Sequence, residues 1–367
     1  MAKKKILLLS DDLRMSSGVG TVSKNFVLGT IHKYDWVQAG GAIKHPEEGK
    51  IVDMNESIRK DTGVKDASLK IYPISGYGNQ ELLRQLMNVE KPDAILHYTD
   101  PRFWVWLYQM EHEIRQNIPI FYYNIWDDLP YPRYNENFYE SSDLIMNISK
   151  QTVNIVEQVA RNKPRTDWDC TYVPHGIPEK TFFPIDNDNK ELKSFRQKVI
   201  RNSDKDFIIF WNNRNIRRKL PSDVIMAYKT FCDNLPKEKA EKCLLLMHTA
   251  PKDNNGTDLP EVVKNICPDY DVIFSHQRLD DKHLNFLYNL ADIQVNIASN
   301  EGFGLGTAEA IMAGTPMIVN VTGGLQDQCG FELNGNHVGY EDYREIVSFH
   351  DRDKWEHNAD LTWGEWC

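Results

Sequence analysis

The stretch Asn300-Glu301-Gly302-Phe303-Gly304-Leu305-Gly306-Thr307-Ala308-Glu309-Ala310, running on to Ala313-Gly314-Thr315-Pro316, decides how this chain is read. Two carboxylates, Glu301 and Glu309, flank a glycine-rich turn that opens a short helix. Such a turn presents backbone N–H groups and the positive end of a helix to an anion. The two glutamates can accept hydrogen bonds from neutral hydroxyls. One element therefore offers donors for phosphate and acceptors for sugar, which is the chemistry of holding a nucleotide-sugar.

Around it, short apolar runs alternate with amphipathic segments, the rhythm of a parallel sheet flanked by helices. In the first half the strand-like runs are Lys5–Ser10, Ser68–Ile74, Asp93–Tyr98, Ile118–Ile125, Asp143–Ile148 and Cys170–Val173, with helical stretches at Asn79–Val89, Arg102–Arg115 and Lys150–Arg161. Polar Phe183–Lys190 breaks the pattern and places a domain boundary between residues 184 and 185. The second half restarts at Asp206–Trp211 and continues through Cys243–Met247, Asp271–Ser275, Asp292–Ile297 and Met317–Asn320. Helical patterns separate these at Pro221–Leu235, Leu259–Ile266, Asp281–Leu290 and Gly306–Ala313. The expectation is an α/β protein of two doubly wound domains, residues 1–184 and 185–367, each with a ligand edge at the carboxyl ends of its strands. Beyond Gly330 the residues lose period through Trp355, Trp363, Trp366 and Cys367, so the second domain reads as truncated or unusual at its end.

Composition narrows the function classes. At 367 residues the chain exceeds one ordinary core, and a formal net charge of −10 argues against a whole-molecule grip on nucleic acid while leaving room for a local basic patch. The 6 cysteines form no C-x-x-C pair or His/Cys cluster, which suits reduced thiols in a cytoplasmic protein and gives no metal site. Ile6 to Leu9 is too brief for a signal-peptide core, and no run approaches a membrane span.

Two loops face phosphate chemistry. Ser16-Ser17-Gly18-Val19-Gly20-Thr21 follows the first strand and precedes a helix; Gly18 and Gly20 fit G-x-G, but the third glycine position of a dinucleotide fingerprint is Ser23, which disfavours a dehydrogenase. Asn212-Asn213-Arg214-Asn215-Ile216-Arg217-Arg218-Lys219 follows a strand and brings cations that stay protonated beside a diphosphate. His97 and His175 each follow a strand, and read more readily as packed side chains than as catalytic ones. The runs 103–108 and 121–123 read as core, whereas Tyr131-Pro132-Arg133-Tyr134 reads as an exposed loop able to stack on a ring.

Leu287-Tyr288-Asn289-Leu290-Ala291-Asp292-Ile293, the Glu301–Pro316 block, Val173-Pro174-His175-Gly176-Ile177 and the pair Gly323-Gly324 together resemble the retaining group 1 (family 4) glycosyltransferases of the GT-B fold. The resemblance covers roughly residues 170–328 and implies a metal-independent transfer from a nucleoside-diphosphate sugar to an acceptor hydroxyl, with no cofactor. It implies that Arg214 and Lys219 neutralise the diphosphate and that Glu309 binds the ribose hydroxyls. Glu301 and the amides of Gly302, Phe303 and Gly304, with Leu305, would hold the sugar; Arg278 and Leu279 would border the base; Gly18 and Val19 would face phosphate or acceptor.

Many members carry His-Asp in the first domain where this chain has Trp126-Asp127-Asp128. Asp127 or Asp128 then orients a sugar hydroxyl or acts as base for an inverting displacement, or one of them merely caps a turn. The weakly matching first half also has a look similar to GT-B enzymes encoded by bacteriophages, which glycosylate hydroxymethylated DNA bases in the host cytoplasm. That makes DNA one candidate acceptor. A non-catalytic nucleotide-sugar-binding or scaffold protein of the same fold is the alternative.

Overall fold

The computed structural model describes residues 3–42, 46–160, 169–201 and 204–330, with the backbone of Glu332–Leu333 and Asn336–His337. Trp355, Trp363, Trp366, Cys367 and Arg161, each part of a sequence expectation, lie outside them. The chain divides into two units, residues 1–176 and residues 177–331, and the segment from Glu332 onward is grouped with the first of them rather than with the second, where the sequence placed it.

The first unit is built on an eight-stranded sheet. Its strands are β1 (Lys4–Asp11), β2 (Tyr34–Gly41), β3 (Val52–Asp53), β4 (Leu69–Pro73), β5 (Ala94–Tyr98), β6 (Ile120–Asn124), β7 (Leu144–Asn147) and β8 (Cys170–Tyr172). Their order is β3-β4-β2-β1-β5-β6-β7-β8, and every pairing is parallel except β3 with β4. Helices cover both faces, so central strands read as unbroken apolar runs: Leu7, Leu8 and Leu9 are all at most 1% exposed.

β2 escapes that signature because it buries Gln38 and ends in Gly40 and Gly41. The amide earns its place by bonding: Gln38 Oε1 accepts from the Leu13 N–H at 3.1 Å, and Nε2 donates to the Asp11 carbonyl at 2.8 Å. An unbonded amide buried there would cost about 1–3 kcal/mol. The expected helix over Arg102–Arg115 is instead three short pieces, Pro101–Trp104, Val105–Gln109 and Glu111–Arg115. The joints lie at Trp104 and Met110, whose φ/ψ pairs of −118°/26° and −108°/17° leave the helical region.

The second unit is a five-stranded parallel sheet of β9 (Phe207–Asn212), β10 (Cys243–His248), β11 (Val272–Ser275), β12 (Ile293–Asn296) and β13 (Met317–Val319), in the order β11-β10-β9-β12-β13. The strand order reverses between β9 and β12. In doubly wound sheets a ligand sits at the carboxyl ends of the strands at such a reversal. Segment 177–184, expected at the end of the first domain, belongs to this unit: Phe182 is buried in its core with Phe210 and Tyr288, and Asn285 bonds both the N–H and the carbonyl of Phe183.

Candidate nucleotide-sugar site

The loops that leave β9 and β12 meet at the reversal point of the second sheet. After β9 the chain makes a short turn at Arg217–Lys219, and the left-handed Leu220 (φ 49°) redirects it into the helix Pro221–Asp233. Ser299 N–H donates to the Arg218 carbonyl at 2.8 Å, and Arg218 Nη1 donates to the Asn300 carbonyl at 2.6 Å. The loops are therefore tied by one backbone–backbone bond and by one from the Arg218 guanidinium, apart from the ion pair between them. Across them Lys219 Nζ forms a direct ion pair with Glu301 Oε2, both residues being buried, and Arg218 Nη1 stands 3.9 Å from the same oxygen.

Gly304 sits at φ 87°, a left-handed conformation that starts the helix Leu305–Met312 without a side-chain cap. A Cβ on Gly304 would lie 2.8 Å from Leu325 Cδ2, so backbone freedom and close packing both select glycine. The following helix, Gly323–Cys329, presses on the same turn, where a Cβ on Gly324 would lie 2.5 Å from Phe303 Cα and 2.7 Å from the Gly302 carbonyl oxygen. Gln328 Nε2 donates to the Phe303 carbonyl at 2.5 Å. The turn is thus held from behind with its amides at a helix start, the arrangement that suits an anion.

Glu309 lies one turn further along. Tyr288 Oη donates to Glu309 Oε2 at 2.5 Å and accepts from Asn212 Nδ2 at 2.7 Å, so a two-bond relay links the end of β9 to this carboxylate. Burial pushes the Glu309 carboxyl up to about 7, although the Tyr288 hydroxyl pulls in the other direction. Nothing in the sequence around Tyr288 or Asn212 marks this relay. A tyrosine at a helical core position carries no visible sign of where its hydroxyl points.

The other residues are more dispersed. Arg214 is exposed and faces the loop after β10, with Nε donating to Asp253 Oδ2 at 3.0 Å. Arg278 is exposed, while Leu279 lines a groove of about 780 Å³ along β11 with Phe195, Val199, Leu244 and Phe274. That groove shares no lining residue with the Glu301–Glu309 turn.

In the first unit Gly18 and Val19 open the helix Gly18–Thr30, and the cap is Ser17, whose Oγ accepts from the Gly20 N–H at 3.0 Å. Gly20 has the steric requirement there, since its Cβ would lie 2.6 Å from the Met15 carbonyl oxygen. Asp128 is exposed, with Oδ1 accepting from the Leu129 N–H at 2.9 Å, and Asp127 is half-buried. Tyr131 is buried at 8% exposure, so only Arg133 and Tyr134 of the expected loop face outward. Conversely, Phe103 of the expected core run is 54% exposed. His97 is packed in the core with Nδ1 2.7 Å from Tyr108 Oη, and His175 Nδ1 lies 2.8 Å from Tyr123 Oη; burial holds both imidazoles down at about 3.

Comparison with known proteins bears on the fold and on the second half of the chain. Residues 193–348 match the family described as Glycosyl transferases group 1. D-inositol 3-phosphate glycosyltransferase of Xylanimonas cellulosilytica is 26% identical over 164 residues, which are 44% of this chain and 37% of that protein. The match therefore spans little more than a third of the relative's length. Among solved structures, Anabaena HepE in complex with UDP and glucose superposes with a TM-score of 0.64 at 12% identity, covering 98% of this chain and 93% of that one. Sucrose-phosphate synthase from Thermosynechococcus elongatus gives 0.63 at 15% identity, over 99% and 92%. At these identities the likeness is one of fold. Residues 193–348 thus match the glycosyl transferases group 1 family, in a chain with the GT-B fold.

Proposed function

We propose that this protein transfers a sugar from a nucleoside-diphosphate sugar to an acceptor hydroxyl. The observation that carries the reading is the meeting of Lys219, Glu301 and the uncapped turn 302–304 at the reversal point of the second sheet. In this reading Lys219 and Arg218 lie against the diphosphate and offset the charge that grows on the leaving group. The amides of the turn and Glu301 hold the sugar, and Glu309 accepts the ribose hydroxyls. Cationic side chains then do the work that a divalent ion does elsewhere, so we read the transfer as metal-independent; turnover in EDTA equal to that without it is the expected result. Retention of anomeric configuration follows the family pattern, and NMR of the product anomer decides it.

The test of the donor site is thermal shift against UDP, GDP, ADP and their sugars. A ligand at 100 times its Kd raises stability by about 2.7 kcal/mol. A flat response to every nucleotide would refute the reading. Arg214→Ala is expected to weaken donor binding by less than about tenfold, because Arg214 is exposed, screened by solvent and already shares its charge with Asp253.

Glu309 supplies a pH signature. Its carboxyl titrates near 7 in the free protein, and only the ionised form accepts two ribose hydroxyls. Below pH 7 binding must expel a proton, so affinity for a nucleotide-sugar should fall by up to about tenfold per pH unit. Above pH 7 it should level off. The Glu309→Gln variant should bind more weakly and lose this slope. A wild-type affinity unchanged between pH 5.5 and 8, measured calorimetrically, would remove Glu309 from the ribose.

A further inference from the structure

The carboxyl edge of the first sheet carries a second constellation, at the reversal between β1 and β5. Asp11, the last residue of β1, is 8% exposed; its Oδ2 accepts from Ser17 Oγ at 3.3 Å, and burial raises its carboxyl above the ordinary range against the opposing pull of Ser17 and Tyr77. Among the described residues its Oδ1 has no hydrogen-bond partner. A buried carboxylate oxygen without a donor is costly, and a donor that reaches it relieves that cost. Tyr77 stacks on Phe103 with ring centroids 4.9 Å apart and planes 2° from parallel. Nearby, Arg102 lies 5.0 Å from the centroid of the Trp126 ring, and exposed Tyr134 meets that ring edge-on.

Aromatic faces beside a carboxylate suit a ring with an apolar face and outward hydroxyls, and they also suit a nucleobase. Charge separates the two. A nucleic acid or a phosphorylated acceptor needs cations to meet its phosphates. The arginines of this edge are already engaged. Asp12 clasps Arg14 through both carboxylate oxygens and Glu47 takes its Nη1 at 2.8 Å; Asp100 clasps Arg102 in the same two-oxygen manner; Arg133 Nη1 donates to the Gln158 carbonyl. Recruiting either clasped arginine to a phosphate would leave its carboxylates facing that phosphate.

We propose that this edge is the acceptor site and that it takes an uncharged carbohydrate, with Asp11 receiving a hydrogen bond from an acceptor hydroxyl and the Tyr77–Phe103 stack supporting the ring. The inference rests on the glycosyltransferase reading and narrows it, setting aside phosphorylated sugars and hydroxymethylated DNA as acceptors. Asp11 is here a binding residue, and it escaped the sequence reading because an Asp-Asp pair after a strand looks like an ordinary polar turn.

The test is binding of the full chain to an array of neutral, phosphorylated and sulfated glycans, with mobility shift of hydroxymethylcytosine duplex DNA alongside. Neutral glycans should be retained and the anionic probes should not. Asp11→Asn should reduce retention by about tenfold or more, the worth of one hydrogen bond to a charged group. Phe103→Ala, at an exposed position that the fold tolerates, should reduce it as well. Preference for phosphorylated glycans or DNA, equal retention by both variants, or no retention of any neutral glycan overturns the proposal. Thermal shift with nucleotide-sugars runs in parallel: a donor response without glycan retention sinks the acceptor site alone, whereas loss of the donor response sinks the enzyme reading beneath it.

Discussion

Replacing Lys219 by Met is expected to abolish measurable nucleotide-sugar binding and to lower the stability of the second unit by about 3–5 kcal/mol. The reason is the position of its partner. Glu301 is buried against Lys219, with Arg218 at 3.9 Å as the more distant cation, so loss of the ammonium leaves a desolvated carboxylate poorly compensated. Glu301→Gln should destabilise in the same direction. The double variant Lys219→Met/Glu301→Gln should recover much of the stability, because removing both charges of a buried pair costs far less than removing one. It should not recover binding, since the diphosphate still lacks its cation and the sugar its acceptor. Denaturant melts and calorimetric titration of the three variants separate these contributions. A double variant that binds the donor as wild type does would make the pair purely architectural.

The second large effect is expected at Gly324. Its Cβ would lie 2.5 Å from Phe303 Cα and 2.6 Å from the Phe303 carbonyl oxygen. These are backbone atoms of the turn itself, which cannot swing aside as a side-chain tip can. Gly324→Val must push either the turn 302–304 or the helix Gly323–Cys329 outward, at about 1–3 kcal/mol or more for the overpacking. The amides that meet the donor move with the turn, so nucleotide-sugar affinity should drop at least about tenfold, by more than stability alone explains. Gly29→Ala provides the contrast. It lies in the helix Gly18–Thr30 with no atom within 4 Å of an added Cβ, and should stabilise by about 0.4–1 kcal/mol. Similar donor affinity in Gly324→Val and Gly29→Ala would contradict this account of the turn.

Much of the second unit was legible because its signals are local. All five strands of its sheet coincide with apolar runs, and Leu259–Ile266 and Asp281–Leu290 form at the expected residues. The Glu301–Glu309 turn could be read because glycine spacing and carboxylate placement lie within one segment. Two kinds of information were not local. β2 hides because buried Gln38 is satisfied by Leu13, Ser10 and Asp11, all contributed by β1 or the loop that follows it. Arg214 and Lys219 looked equivalent in sequence, but the turn at Arg217–Lys219 carries Lys219 inward to Glu301 and leaves Arg214 facing Asp253. Which of two cations in one loop is buried depends on a carboxylate 82 residues later, in the loop after β12, and no pattern within the loop records it.

The strand order of the second sheet has a consequence for the order of assembly. β9 occupies the middle, yet its neighbour on the site side, β12, is made only after β10 and β11. During synthesis β9 and β10 can pair early, but one edge of β9 stays bare until residues 293–296 have left the ribosome. The Lys219–Glu301 pair belongs to that late contact, so the site cannot assemble before residues 293–301 have joined β9. Premature release in that window exposes one bare edge of a central strand rather than a polar loop, a surface open to pairing with another chain.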